Sequence, residues 1–184
     1  GLVDDRRSLG PLVKFIVQLI VTAGLVTALD VRVLQMLDAH GQPGRVGSIV
    51  ITMLWMIAII NAMNFLDNMD GLSAGVGAIA AFFFLVAALL AGQWFVAALT
   101  AILIGALVGF LRFNIHPARI YMGDAGSLVL GLLLAFISVR ITYFAPGTPA
   151  PPGTSGSADT LFDLRSQWHA TLIPVVVLIV PLYD

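Results

Sequence analysis

Residues 64–75 read NFLDNMDGLSAG and set two carboxylates, Asp67 and Asp70, three positions apart beside Gly71. On a helix, positions i and i+3 share a face, so both acids can look into one cavity. Asn64 and Asn61 continue the same spacing backwards. Ionisable side chains at a membrane are costly and usually functional. Gly71 lets backbone approach a ligand closely. The competing reading is a capping motif, because Asp and Asn both favour helix ends.

Two further polar islands carry similar chemistry. Asp4 and Asp5 are adjacent, just before Arg6 and Arg7. Neighbouring carboxylates repel, which raises one pKa and makes a candidate base. They can equally meet a phosphate through bridging Mg²⁺, or simply pair with the two arginines in a solvated loop. The third island is RFNIHPARIYMGDAGSLVLG, from Arg112 to Gly131. Asn114 offers both a donor and an acceptor, which suits a base or sugar. Asp124 and Ser127 precede a long apolar run. They can cap its helix, or the free N–H groups there can face a phosphate. Mg²⁺ needs only one or two carboxylates plus substrate phosphates, and Asp124 fits that need. His116, next to Pro117, can be merely a polar loop residue, while Arg112 and Arg119 can neutralise phosphate or, equally, anchor the interface. His40 and His169 lack a second His or any Cys nearby, so neither reads as a zinc ligand.

The elements that position these islands are apolar. The 184-residue chain is 59% hydrophobic and 10% charged, with mean hydropathy +1.00. Soluble domains carry about 25% charged residues. A formal net charge of -1 gives no basic footprint for nucleic acid. There is no cysteine, and every acid is Asp. Several runs approach the roughly 20 residues that cross a bilayer. The expected fold is all-α, a polytopic integral membrane bundle with about six spans. They are Leu12–Leu29, Ile49–Met63, Leu72–Ala91, Phe95–Leu111, Leu128–Phe144 and Thr171–Leu182. Asp30–Gly47 reads as a loop, because Gly41, Pro43, Gly44 and Gly47 are breakers. Gly92-Gln93 reads as a tight turn beside Trp94, an interface anchor. Gly105, Gly109 and Gly131 suit close helix packing. Residues 1–184 form one membrane domain, and 145–169 begin with a Pro/Gly/Ser-rich stretch that has no means of packing a core.

Counting crossings puts Asp4, Asp5, Asp67, Asp70, Asp124 and Asp184 on one face. Asp30, Asp38, Asp159 and Asp163 fall on the other. Five basic residues on the first face against four on the second lean it only slightly toward the cytosol. One face thus offers carboxylates, amides and Arg beside lipid. That suits joining a charged, water-soluble donor to a lipid acceptor, with a divalent metal offsetting phosphate charge.

Three stretches, GLVDD, NAMNFLDNMDGLSAG and FNIHPARIYMGDAGSLVLG, resemble in order the signatures of the polyprenyl-phosphate N-acetylhexosamine-1-phosphate transferases, glycosyltransferase family 4. The resemblance covers essentially the whole chain. It implies transfer of a sugar 1-phosphate from a UDP-N-acetylhexosamine to undecaprenyl or a similar polyprenyl phosphate, with release of UMP. It implies Mg²⁺, with Mn²⁺ as the substitute, and a multi-pass protein of the bacterial plasma membrane, active on the cytosolic face. With that face cytosolic, counting crossings puts residues 145–169 on the other side. A homodimer is compatible with the resemblance. By motif match, Asp124 resembles the Mg²⁺ ligand. Asp70 and Asn114 resemble residues holding the uridine, with Asn64 on the same wall. Asp67 resembles a further essential acid, and Asp4 and Asp5 the acidic pair near the lipid phosphate. LDNMDGL resembles the branch using UDP-N-acetylglucosamine or close relatives. The branch acting on UDP-MurNAc-pentapeptide, with its TDGLDGL-like run, is the alternative. Family members have about ten or eleven spans and a His-rich cytosolic loop, so the chain is expected to be an internal piece that is inactive alone.

Two other classes compete. A CDP-alcohol phosphotransferase needs Ala-Arg soon after Asp-Gly and further acids down the helix, whereas Ser73-Ala74-Gly75 follow here. A transporter would place its acids near the bilayer midplane or in broken helices, not at span ends on one face.

Overall fold

The computed structural model describes residues 10–33 and 41–143. Within them lie five helices and no strand: α1 (Pro11–Ala28), α2 (Gln42–Leu66), α3 (Leu72–Leu90), α4 (Trp94–Asn114) and α5 (Gly123–Tyr143). α2 to α5 are each long and apolar enough to cross a membrane. α1 has 18 residues, about 27 Å of helix. The protein is a multi-pass membrane bundle. Asp4, Asp5, residues 145–169 and the sixth expected span lie outside the described residues.

Where boundaries differ from expectation, the cause is local. α2 begins at Gln42 rather than Ile49, so the last third of the expected Asp30–Gly47 loop is helix. Pro43 lies in the first turn, where a missing N–H costs nothing, and Gly41 before it has φ +72°. α5 begins at Gly123 rather than Leu128. The GDAGS run is therefore its first turn. α4 runs on to Asn114, and Ile115 is extended before the His116–Pro117 peptide.

α2 packs mainly on α5, α3 on α4, and α1 on α2. Gly131 explains the α2–α5 crossing. A Cβ there would lie 2.7 Å from the Cα of Ile60, so only glycine permits that approach. Ile59, Met63, Phe84, Leu134 and Ile137 fill the core and are fully buried. Met56 is buried as well, in keeping with a membrane-core reading of the methionines. A methyl group added at Gly105 or Gly109 would meet nothing within 4 Å. The expected close packing is thus seen at Gly131 and not at these two among the described residues.

Several buried polar groups find partners inside the bundle, as a lipid solvent requires. Thr22, Thr52 and Thr100 donate to carbonyls four residues back, at 2.8, 2.7 and 2.7 Å. The Trp55 Nε1–H donates to Ser138 Oγ at 3.1 Å, linking α2 to α5. After α1, Val33 is pinned to α2: its N–H donates to Thr52 Oγ1, and its carbonyl accepts from Ser48 Oγ. At the α3–α4 turn, Gly92 takes φ +68° and the Gln93 N–H donates to the Ala88 carbonyl at 2.8 Å. This is the expected tight turn, with its left-handed glycine past the helix end.

Candidate active site

The helices alternate in direction, so the start of α1, the end of α2, the start of α3, the end of α4 and the start of α5 meet at one end of the bundle. Side-chain bonds across these termini show it. Asn64, in the last turn of α2, donates through Nδ2 to Asp124 Oδ1 at 3.0 Å and to Ser127 Oγ at 2.8 Å, both on α5. Ser127 donates in turn to the Gly123 carbonyl at 3.1 Å. Lys14 of α1 pairs with the other Asp124 oxygen. An amide from α2 and an ammonium from α1 thus fix the Asp124 carboxylate of α5, and the Ser127 hydroxyl steadies the amide.

Asp67 completes this cluster. α2 ends at Leu66, and Asp67 is its C-cap residue, with φ −77° and ψ 23°. Its carboxylate accepts a hydrogen bond from the Gly123 N–H at the start of α5. Burial raises its pKa above the ordinary value, the Gly123 bond opposes that, and the nearby Asp124 charge adds to the rise. The capping reading is therefore partly realised, but for α5 and from another helix.

Asp70 belongs to a neighbouring cluster. Because α2 has ended, the period-three wall stops at Asp67, and the following turn carries Asp70 elsewhere. Its Oδ2 accepts from the Ala118 N–H at 3.2 Å and meets His116 Nδ1 at 3.1 Å. Asn114 stands behind it, 5% exposed. The Asn114 Oδ1 accepts from the Gly71 N–H, and its Nδ2 donates to the Ile120 carbonyl, both at 2.9 Å. Gly71 has φ +74°, a left-handed turn that a side chain would strain. Asn114 therefore ties the Asp70 turn to the segment between α4 and α5. His116 is a residue of the loop between α4 and α5 and is also Asp70's neighbour.

A third layer lies one turn deeper. Asn61 donates to Gln18 Oε1 at 2.9 Å, and Gln18 returns a 3.4 Å bond to Asn61. Lys14 and Gln18 are what sequence reasoning missed. Lys14 is the chain's single lysine, and it stands inside an otherwise apolar run. That isolation was the available signal.

The donor set suits a hard cation. Asp67 and Asp124 bring two carboxylates to one patch, where they repel. Mg²⁺ takes one or two carboxylates and completes its shell with water and phosphate. The Lys14 ammonium already shows that Asp124 accepts a cation there. Among the described residues no group of three or more His, Cys, Asp or Glu could form an all-protein cage.

A membrane bundle with acids and amides gathered at one end defines an integral membrane protein with a charged site beside lipid. The model of glycosyl transferase family 4 matches residues 1–142, and the chain belongs to that family. It is 33% identical over 189 residues to a probable undecaprenyl-phosphate N-acetylglucosaminyl 1-phosphate transferase of Bacillus subtilis, a match covering 100% of this chain and 46% of the relative. It is 37% identical over 197 residues to the decaprenyl-phosphate N-acetylglucosaminephosphotransferase of Mycobacterium tuberculosis, again over 100% of this chain and 46% of the relative. A phospho-N-acetylmuramoyl-pentapeptide-transferase of Clostridioides difficile is 48% identical over 92 residues, 50% of this chain and 29% of that protein. The chain spans about half the length of the relatives it matches end to end.

Proposed function

We propose that the protein carrying this chain transfers N-acetylglucosamine 1-phosphate, or a related N-acetylhexosamine 1-phosphate, from a UDP-sugar to a polyprenyl phosphate. UMP is released, and the product initiates a cell-envelope polysaccharide. The observation that carries this reading is the convergence of Asn64, Asp67 and Asp124 at the end of the bundle where Asp70 and Asn114 also lie. The similarity of this whole chain to about half of two polyprenyl-phosphate N-acetylglucosamine-phosphate transferases supports the substrate classes. The site would face the cytosol, where nucleotide sugars are made, in a bacterial plasma membrane.

In this reaction an oxygen of the acceptor phosphate attacks the donor's β-phosphorus. The bond from that phosphorus to the bridging oxygen breaks, and the oxygen leaves on UMP. A phosphate monoester is already largely ionised at neutral pH, so orientation and charge neutralisation supply most of the effect. Asp124, with Asp67 beside it, would hold Mg²⁺, which supplies charge neutralisation on the transferred phosphate. Asn64 keeps Asp124 aimed. Asp70 and the Asn114-braced turn hold the uridine part. Asp4 and Asp5 attend the lipid phosphate.

The test is UMP release from UDP-N-acetylglucosamine and undecaprenyl phosphate by the full-length protein. Asp124→Asn and Asp70→Asn are expected to abolish it while membrane insertion persists. Normal turnover in both would sink the site assignment. The Clostridioides relative keeps a second donor in view, UDP-MurNAc-pentapeptide. Donor competition decides between them, and Leu66 and Asn68-Met69 favour the smaller sugar.

A further inference from the structure

None of the acidic motifs contains Lys14, yet it contacts the acid on which the site is centred. The two side chains come from positions 110 residues apart and are 30% and 34% exposed. The contact is directed rather than incidental. Gln18 lies one turn further along the same face of α1 and forms the reciprocal amide pair with Asn61 of α2. Asn61 is in turn three residues before Asn64. The amide pair fixes the rotation of α1 against α2, and that rotation aims Lys14 at Asp124.

Asp124 is thus gripped on one oxygen by a neutral amide and on the other by a cation. An ammonium and a divalent ion cannot share one carboxylate oxygen without strong repulsion. We infer that Lys14 is the resident counter-ion of Asp124, holding the cation position until a divalent metal displaces it. This rests on the reading of Asp124 as the metal ligand. The arrangement also explains how Asp67 and Asp124 stand together, since one positive charge offsets part of their repulsion. Lysine suits the role better than arginine. It is a compact charge on a flexible stem, whereas a guanidinium grips a carboxylate through two parallel bonds.

The test is Mn²⁺ binding to the full-length protein in detergent, read from the electron paramagnetic resonance signal of the free ion. Melting temperatures in the same detergent check folding. Asp124→Asn is expected to weaken binding at least about tenfold. Lys14→Gln should tighten it about twofold to fivefold, the worth of a partly exposed ion pair. Lys14→Arg should weaken it, because the guanidinium yields less readily. Unchanged or weaker binding in Lys14→Gln overturns the counter-ion role while leaving Asp124 as ligand. If Lys14→Gln does not fold, Lys14→Arg decides, and affinity equal to or tighter than wild type overturns the role. Wild-type affinity in Asp124→Asn would sink the metal assignment as well.

Discussion

Asp67 shows how a single residue at this site trades stability for chemistry. Its pKa is raised in the folded protein by burial and by Asp124. A raised carboxyl contributes stability that is fully present below its unfolded value and is lost as pH rises through the folded one. The fold therefore bears an electrostatic cost at neutral pH. Asp67→Asn is expected to melt higher than wild type at pH 7.5 and to lose that advantage below pH 3.8, the ordinary carboxyl value. Its UMP release should fall sharply. A lower melting temperature at pH 7.5 would contradict the cost. Asn64 works in the opposite sense. Asn64→Ala leaves Asp124 Oδ1 and Ser127 Oγ without their amide donor, a loss of about 1–3 kcal/mol in stability. Turnover should fall with it, because Asp124 loses its orientation. Thermal unfolding beside UMP release measures both.

The decisive element pair is α2 against α5, because Asn64 and Asp67 come from the end of one and Asp124 from the start of the other. Their separation is set by Gly131 resting on Ile60. Gly131→Ala should push the helices apart, with a stability loss of about 1–3 kcal/mol and reduced UMP release although no site residue changes. Gly105→Ala is the contrast, since a methyl group there meets nothing within 4 Å. It is expected to be neutral or to gain up to about 1 kcal/mol from helix propensity. Equal effects in the two variants would refute the packing argument. α4 acts on the site more indirectly, through Asn114. Asn114→Ala frees the Gly71 N–H and the Ile120 carbonyl, so the Asp70 turn loosens. The KM for the nucleotide sugar should rise more than kcat falls. An unchanged KM would deny Asn114 that bracing role.

At the scale of the molecule, alternating helices bring Asn64, Asp67, Asp70, Asn114 and Asp124 to one end. Counting spans in the sequence places the acids among them on one face, and the Lys14–Asp124 and Asn64–Asp124 contacts across three helices agree with it. In cysteine-accessibility labelling of intact membrane vesicles, Asn68→Cys and His116→Cys should react from the same side. Gly92→Cys, in the α3–α4 turn, should react from the other. Labelling of all three from one side would overturn the alternating topology.

Apolar run length and glycine placement determined the class and the span order, because helix length against bilayer thickness is a local property. The motifs around Asp67, Asp70, Asn114 and Asp124 were legible for the same reason: scarce polarity in an apolar chain marks itself. The starts of α2 and α5 were less so, since Pro43 read as a breaker although a first turn tolerates it, and the polar GDAGS run lies ahead of the apolar run that marked the span. The tertiary structure alone decided who meets whom. It ended α2 at Leu66 and so separated Asp70 from the Asn64–Asp67 wall. It turned Asn114 inward as a brace, and it brought Lys14 to Asp124. Each depends on groups 43 to 110 residues apart. Contacts at that range arise only when helices pack, and no periodicity along the chain encodes them.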